Sequence, residues 1–121
     1  MYSTRIIPAG VPETQVTIEF PDEFGIETFH LPLLSFIDRP TMSGMRSWTD
    51  RENEKRLKEK KPTVSLDEQL EYLFKKLVDK DIAKNVLARP EGEVVQVWLA
   101  WQNSDTDFAK TLGESKASSN S

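Results

Sequence analysis

The sequence predicts an α+β fold: an N-terminal β-hairpin packed on a small bundle of three to four helices, with flexible termini. Three observations lead there. Gln15 to Phe20 alternates apolar and polar residues, and a second alternating run follows at Ile26 to Leu31. Leu66, Leu70, Leu73, Phe74 and Leu77 recur at helical spacing and form one apolar stripe. Both ends lack such periodicity. The expected organisation is an irregular arm over residues 1–13, one α+β domain over 14–102, and a polar, disordered tail over 103–121.

In the arm, Pro8, Gly10 and Pro12 break up regular structure, and the apolar pair Ile6 and Ile7 is a candidate for docking on the body. In the first strand Val16, Ile18 and Phe20 face one way and Gln15, Thr17 and Glu19 the other. Pro21 to Gly25 carries turn chemistry, giving a hairpin loop of about five residues. Glu27, Phe29 and Leu31 then share a face of the second strand, and Pro32 ends it or leaves it at an edge. An isolated hairpin is marginal in water, so it needs the helices beneath it.

Asp38 is placed to cap a short helix from about Pro40 to Trp48, in which Met42, Met45 and Trp48 fall on one side despite Gly44. Arg51 to Lys61 holds six basic and three acidic residues around Leu57. It reads either as an exposed helix with Glu-to-Lys pairs, such as Glu54 with Lys58, or as a linker ended by Pro62. Ser65 and Glu68 make a capping box ahead of the long stripe. Asp79-Lys80-Asp81 interrupts, with Asp81 as a cap, and Ile82, Val86 and Leu87 share a face of the next helix. Pro90 opens a further helix. Val94, Val97, Trp98 and Trp101 line one side of it, with Val95 and Leu99 beside them, and it ends near Gln102.

Composition narrows the function classes. The chain has 121 residues, 30% charged and 37% hydrophobic, with a net charge of -4 and no cysteine. This fits one soluble domain, excludes disulfides and thiolate-ligated metals, and argues against nucleic acid as the main partner, because phosphate binding needs a basic surface. No apolar run is long enough to span a bilayer, and the N-terminus lacks a signal-peptide pattern. His30 stands alone. Asp79, Asp81, Glu91 and Glu93 lie at helix ends, where caps and dipole partners are expected rather than an acid–base pair. The five glycines are scattered, so there is no phosphate loop. The expectation is a protein without catalytic residues, cofactor or metal. Of Trp98 and Trp101, one belongs in the core and the other is a candidate binding anchor.

Two motifs point to a family. Val97-Trp98-Leu99-Ala100-Trp101-Gln102 is followed by Leu112-Gly113-Glu114-Ser115-Lys116-Ala117-Ser118. Near the front, Val16-Thr17-Ile18-Glu19-Phe20 leads through a loop to Phe29-His30-Leu31-Pro32. This pattern resembles the tail assembly chaperones of long-tailed bacteriophages (siphoviruses) of actinobacterial hosts, whose chains commonly open with a hairpin ending in Leu-Pro. They end with an aromatic-rich helix, often carrying a Trp-Gln step, and a polar tail similar to GESSAS. The resemblance runs from about Gln15 to Ser118. Lys116 departs from it where serine is common, and Arg51–Lys61 is longer than usual.

The resemblance implies a job. Such proteins bind the tape-measure protein and keep it soluble while tail tube protein polymerises round it. They act in the host cell cytoplasm and are absent from the mature virion. A longer form arises by programmed frameshifting, which places the frameshift region here at Gly113, Glu114, Ser115 and Lys116, with this chain similar to the short form. The candidate partner-binding residues are Met42, Met45, Trp48, Trp98, Trp101 and Leu112. The expected partners are the tape-measure protein, the tail tube protein and the longer form of the chain itself. A homo-oligomer is compatible with this, and neither nucleic acid nor a membrane is expected. The competing expectation is a structural tail-completion or head-tail joining protein that stays in the virion. A third is a host adaptor domain with no phage role.

Overall fold

Two antiparallel strands and four α-helices follow one another in a computed structural model that describes residues 5–22 and 25–119, with side chains over 5–21 and 28–111. The α+β class expected from the sequence is what the chain adopts. It divides into two compact units, Met1–Phe36 with Leu99–Ser121, and Ile37–Trp98.

In the first unit, β1 (Gln15–Asp22) pairs with β2 (Gly25–Pro32), Val16 opposite Leu31 and Ile18 opposite Phe29. The pleat sends Ile18, Phe20, Phe29 and Leu31 into the core and leaves Thr17, Glu19, Thr28 and His30 exposed. On the exposed side the Thr17 hydroxyl and His30 Nδ1 are 3.0 Å apart. Only residues 23 and 24 separate the strands, so the connection is shorter than the five residues expected. Pro21 stays in the ladder opposite Ile26. A two-stranded ribbon has only edge strands, and an edge tolerates a missing N–H.

Thr14 anchors the entry to the hairpin. It is fully buried, its hydroxyl donates to the carbonyls of Pro8 and Val11 at 3.2 and 3.1 Å, and its own carbonyl accepts from Leu33 N–H at 2.9 Å. The arm before it contains a 3-10 turn at Pro12–Thr14 and a left-handed Gly10 (φ 88°). Ile6 is 76% exposed and is not docked.

The other part of this unit is the second half of α4 (Glu91–Ser119). The sequence reading ended this helix at Gln102 and made 103–121 a disordered tail. The helix instead continues, because Trp101, Asp105 and Phe108 fall on one face and each has a partner. The Trp101 indole N–H donates to the Pro32 carbonyl at 2.7 Å. The Asp105 carboxylate accepts from the backbone N–H and the hydroxyl of Ser35 at 2.9 and 2.6 Å. Phe108 meets Phe36 edge-on, centroids 5.2 Å apart.

In the second unit, α1 (Arg39–Lys58) starts on the cap read from the sequence. Asp38 accepts from the Thr41 backbone N–H at 3.0 Å and from its hydroxyl, which holds the Asp38 carboxyl below its ordinary pKa. The helix does not stop at Trp48. It absorbs Arg51–Lys58 and decides the helix-or-linker alternative for those residues. Its end is a Schellman arrangement: Lys61 N–H donates to Arg56 C=O at 2.8 Å and Lys60 N–H to Leu57 C=O at 3.2 Å, with Lys60 left-handed at φ 57°.

α2 (Leu66–Leu77) carries the expected capping box between Ser65 and Glu68 and buries Leu70, Leu73 and Phe74. Leu66, the first residue of the stripe, stays 54% exposed. Polar pairs join α1 to α2 and to the connection before it: Gln69 Nε2 donates to the Thr49 hydroxyl, and Val64 N–H donates to Asn53 Oδ1 at 2.7 Å. α3 (Lys80–Leu87) begins after Asp79 rather than at Asp81, which lies in its first turn, and it buries Ala83 and Val86. The start of α4 contributes Val97 and Trp98 to this core. Its first turns are tied by Arg89 to Glu93 at 3.1 Å.

Candidate partner-binding surface

The candidate residues separate by burial. Trp101 is 0% exposed and Trp98 4%, so neither is a surface anchor, contrary to the expectation that one would be. Each aromatic has a structural role that explains its depth. Trp101 satisfies its indole N–H on Pro32. Trp98 packs edge-to-face on Phe74, with centroids 5.5 Å apart. Met45 is also buried, and its sulfur accepts from the Thr49 hydroxyl at 3.4 Å. Met42 and Trp48 are half-buried and remain accessible. Leu112, Gly113, Glu114, Ser115 and Lys116 fall in the last turns of α4, where the backbone alone is described.

Trp48 is the accessible candidate that lines a groove. Its ring stacks on Tyr72 of α2, 5.1 Å between centroids and 22° between planes. Lys76 lies over the Tyr72 ring, its Nζ 5.6 Å from the centroid, which adds a cation–π attraction. Trp48, Glu68, Glu71, Tyr72, Lys75 and Lys76 line a recess of about 380 Å³. Glu71 and Lys75 pair across one turn at 3.6 Å. The floor is aromatic and the rim carries both signs of charge. Such a surface can seat an amphipathic segment, apolar side down, with either charge at its margin. Gly44 helps to shape it: a Cβ there would meet the Tyr72 hydroxyl at 3.3 Å. Tyr72 was missed in the sequence reading, which followed only the apolar stripe. The i, i+4 series Glu68, Tyr72, Lys76 was the available signal for this second face.

Arg56 and Glu68 form the strongest polar feature beside the groove. The guanidinium binds both carboxylate oxygens of Glu68, Nη1 to Oε1 at 3.1 Å and Nη2 to Oε2, and also Glu52 at 3.2 Å. The Arg56 hydrogen bonds pull the Glu68 carboxyl below its ordinary value of 4.5, and burial opposes this only in part. Glu68 in turn raises the pKa of Arg56. Among the described residues, no group of three or more His, Cys, Asp or Glu side chains is arranged to hold a metal ion, and no helix is long and apolar enough to cross a membrane.

No family model, curated protein or solved structure matches this chain.

Proposed function

We propose that this chain is a phage tail assembly chaperone that binds the tape-measure protein and keeps it soluble while the tail tube polymerises. The observation that carries the reading is the hydrogen bond between Trp101 and Pro32. Leu31-Pro32 and Trp101-Gln102 belong to the two motifs that resemble the chaperone family, and they lie far apart in sequence. A bond joining them gives both motifs one structural reason to occur together.

On this reading the chain holds its client without chemistry. The Trp48–Tyr72 groove takes an amphipathic helix of the tape-measure protein. Contacts of this size are individually weak, which allows release when tube subunits compete for the same helix. The chain works in the host cytoplasm and is absent from the finished particle. A longer form comes from frameshifting at the codons of Gly113 to Lys116.

The test is recovery of partners from infected cells with the tagged chain. The tape-measure protein is expected in the eluate, and Trp48→Ala should reduce its recovery. An eluate without tape-measure or tube protein removes the reading. Mass spectrometry of purified virions separates the chaperone from a tail-completion or head-tail joining protein, since only the latter would remain in the particle.

A further inference from the structure

We infer that a second copy of this chain docks on the Ile37–Trp98 unit, inserting Leu57 into an acidic-rimmed apolar groove beside α2. The inference is independent of the client proposed above.

The groove adjoins the Trp48–Tyr72 recess, with which it shares Glu68 and Glu71. Leu87, Val94, Val95 and Trp98 supply its apolar lining, and its volume is about 290 Å³. Asp67, Glu68, Glu71 and Glu91 stand round it; Glu68 is bound by Arg56 and Glu71 is paired with Lys75, so the acidic demand on a partner rests on Asp67 and Glu91. The one basic side chain on the lining is Arg89, and its guanidinium is already bound to Glu93 at 3.1 Å. The surface therefore asks for an apolar side chain flanked by cations.

The same unit displays such an element. Leu57 is 78% exposed, the most exposed large apolar side chain among the described residues. Exposed Lys55, Lys58 and Lys60 surround it in sequence at the end of α1; of the two acidic residues in the same stretch, Glu59 is paired with Lys61 and Glu54 lies a turn earlier. About five turns of α1 precede it, and the Schellman end fixes the chain after it, so Leu57 is held out on a rigid support.

Both features border one end of α2. Arg56, the neighbour of Leu57, grips Glu68, and Glu68 also lines the groove. Leu66, 54% exposed, begins that same helix. A two-fold axis beside the start of α2 lets each copy insert its Leu57 into the other's groove, closing the contact as a dimer rather than an open filament.

Sedimentation equilibrium of the purified chain over a concentration series tests this. A dimer is expected, weakened by added salt because lysine–carboxylate attraction across the rim is screened. Leu57→Asp should weaken it roughly tenfold or more, the loss expected for a central apolar anchor. Its circular dichroism and thermal midpoint should not change, since Leu57 is exposed in the monomer. Val95→Asp should weaken the dimer as well. A chain that stays monomeric throughout the series, or a dimer indifferent to Leu57→Asp or to Val95→Asp, would overturn the inference.

Discussion

Three side chains hold more than their size implies. Trp101 is fully buried with its N–H committed to the Pro32 carbonyl. Trp101→Phe keeps most of the apolar contact and strands that carbonyl, so it should cost about 1–3 kcal/mol, measured by urea unfolding. Thr14 is the only buried polar residue among those described, and it ties the arm to the hairpin. Glu68 sets an acid limit. Its folded pKa is depressed below 4.5, chiefly by Arg56. A depressed carboxyl stabilises the fold above its unfolded pKa, and that contribution fades as pH falls through the folded value. Asp38, lowered by Thr41, acts in the same direction. Stability should therefore fall as the pH drops below about 4.5. Glu68→Gln should flatten that decline in acid melts, by a modest amount because the carboxylate is partly exposed.

At the scale of elements, termini decide where helices stand. Ser65→Ala removes the oxygen that accepts from Glu68 N–H and should lower stability by about 0.5–2 kcal/mol in chemical denaturation. Lys60 closes α1 in the left-handed region, where a side chain is strained. Lys60→Gly should raise the thermal midpoint, by about 1 kcal/mol in stability. Much of this level was legible in the sequence. The capping box, the Asp38 cap and the alternation of β1 each follow from local chemistry that the fold does not override. The length of α1 and α4 was not. In α1 the charged run Arg51–Lys58 has no apolar stripe, and its helix is held by polar pairs from Arg56 to α2 and from Asn53 to the connection before it. In α4 the segment after Gln102 is anchored by Asp105, whose partner Ser35 lies seventy positions away. Periodicity of apolar residues does not register anchors that are hydrogen bonds. The candidate site was legible only in part, since Trp48 lies at the groove while Trp98 and Met45 serve the core. Tryptophan and methionine suit both places, and sequence spacing does not separate them.

For the whole molecule, α4 is the element shared by both compact units, passing from one to the other between Trp98 and Leu99. Leu99 is half exposed, so replacing it sacrifices little packing. Leu99→Pro removes a helical hydrogen bond and should cost about 3 kcal/mol, read as an earlier unfolding midpoint. Amide exchange should show protection across Asn103 to Thr111 if Ser35 and Phe36 hold that segment. Asp105→Ala should lose it there first. The indole–carbonyl bond also gives the molecule an optical signature. A tryptophan shut away from water emits at shorter wavelength than a wetted one. Trp101 belongs to the hairpin unit and Trp98 to the helical unit, three residues apart in sequence but reporting on different halves. Single-tryptophan versions of the chain would thus let each half be watched separately as it loosens, with no dye attached.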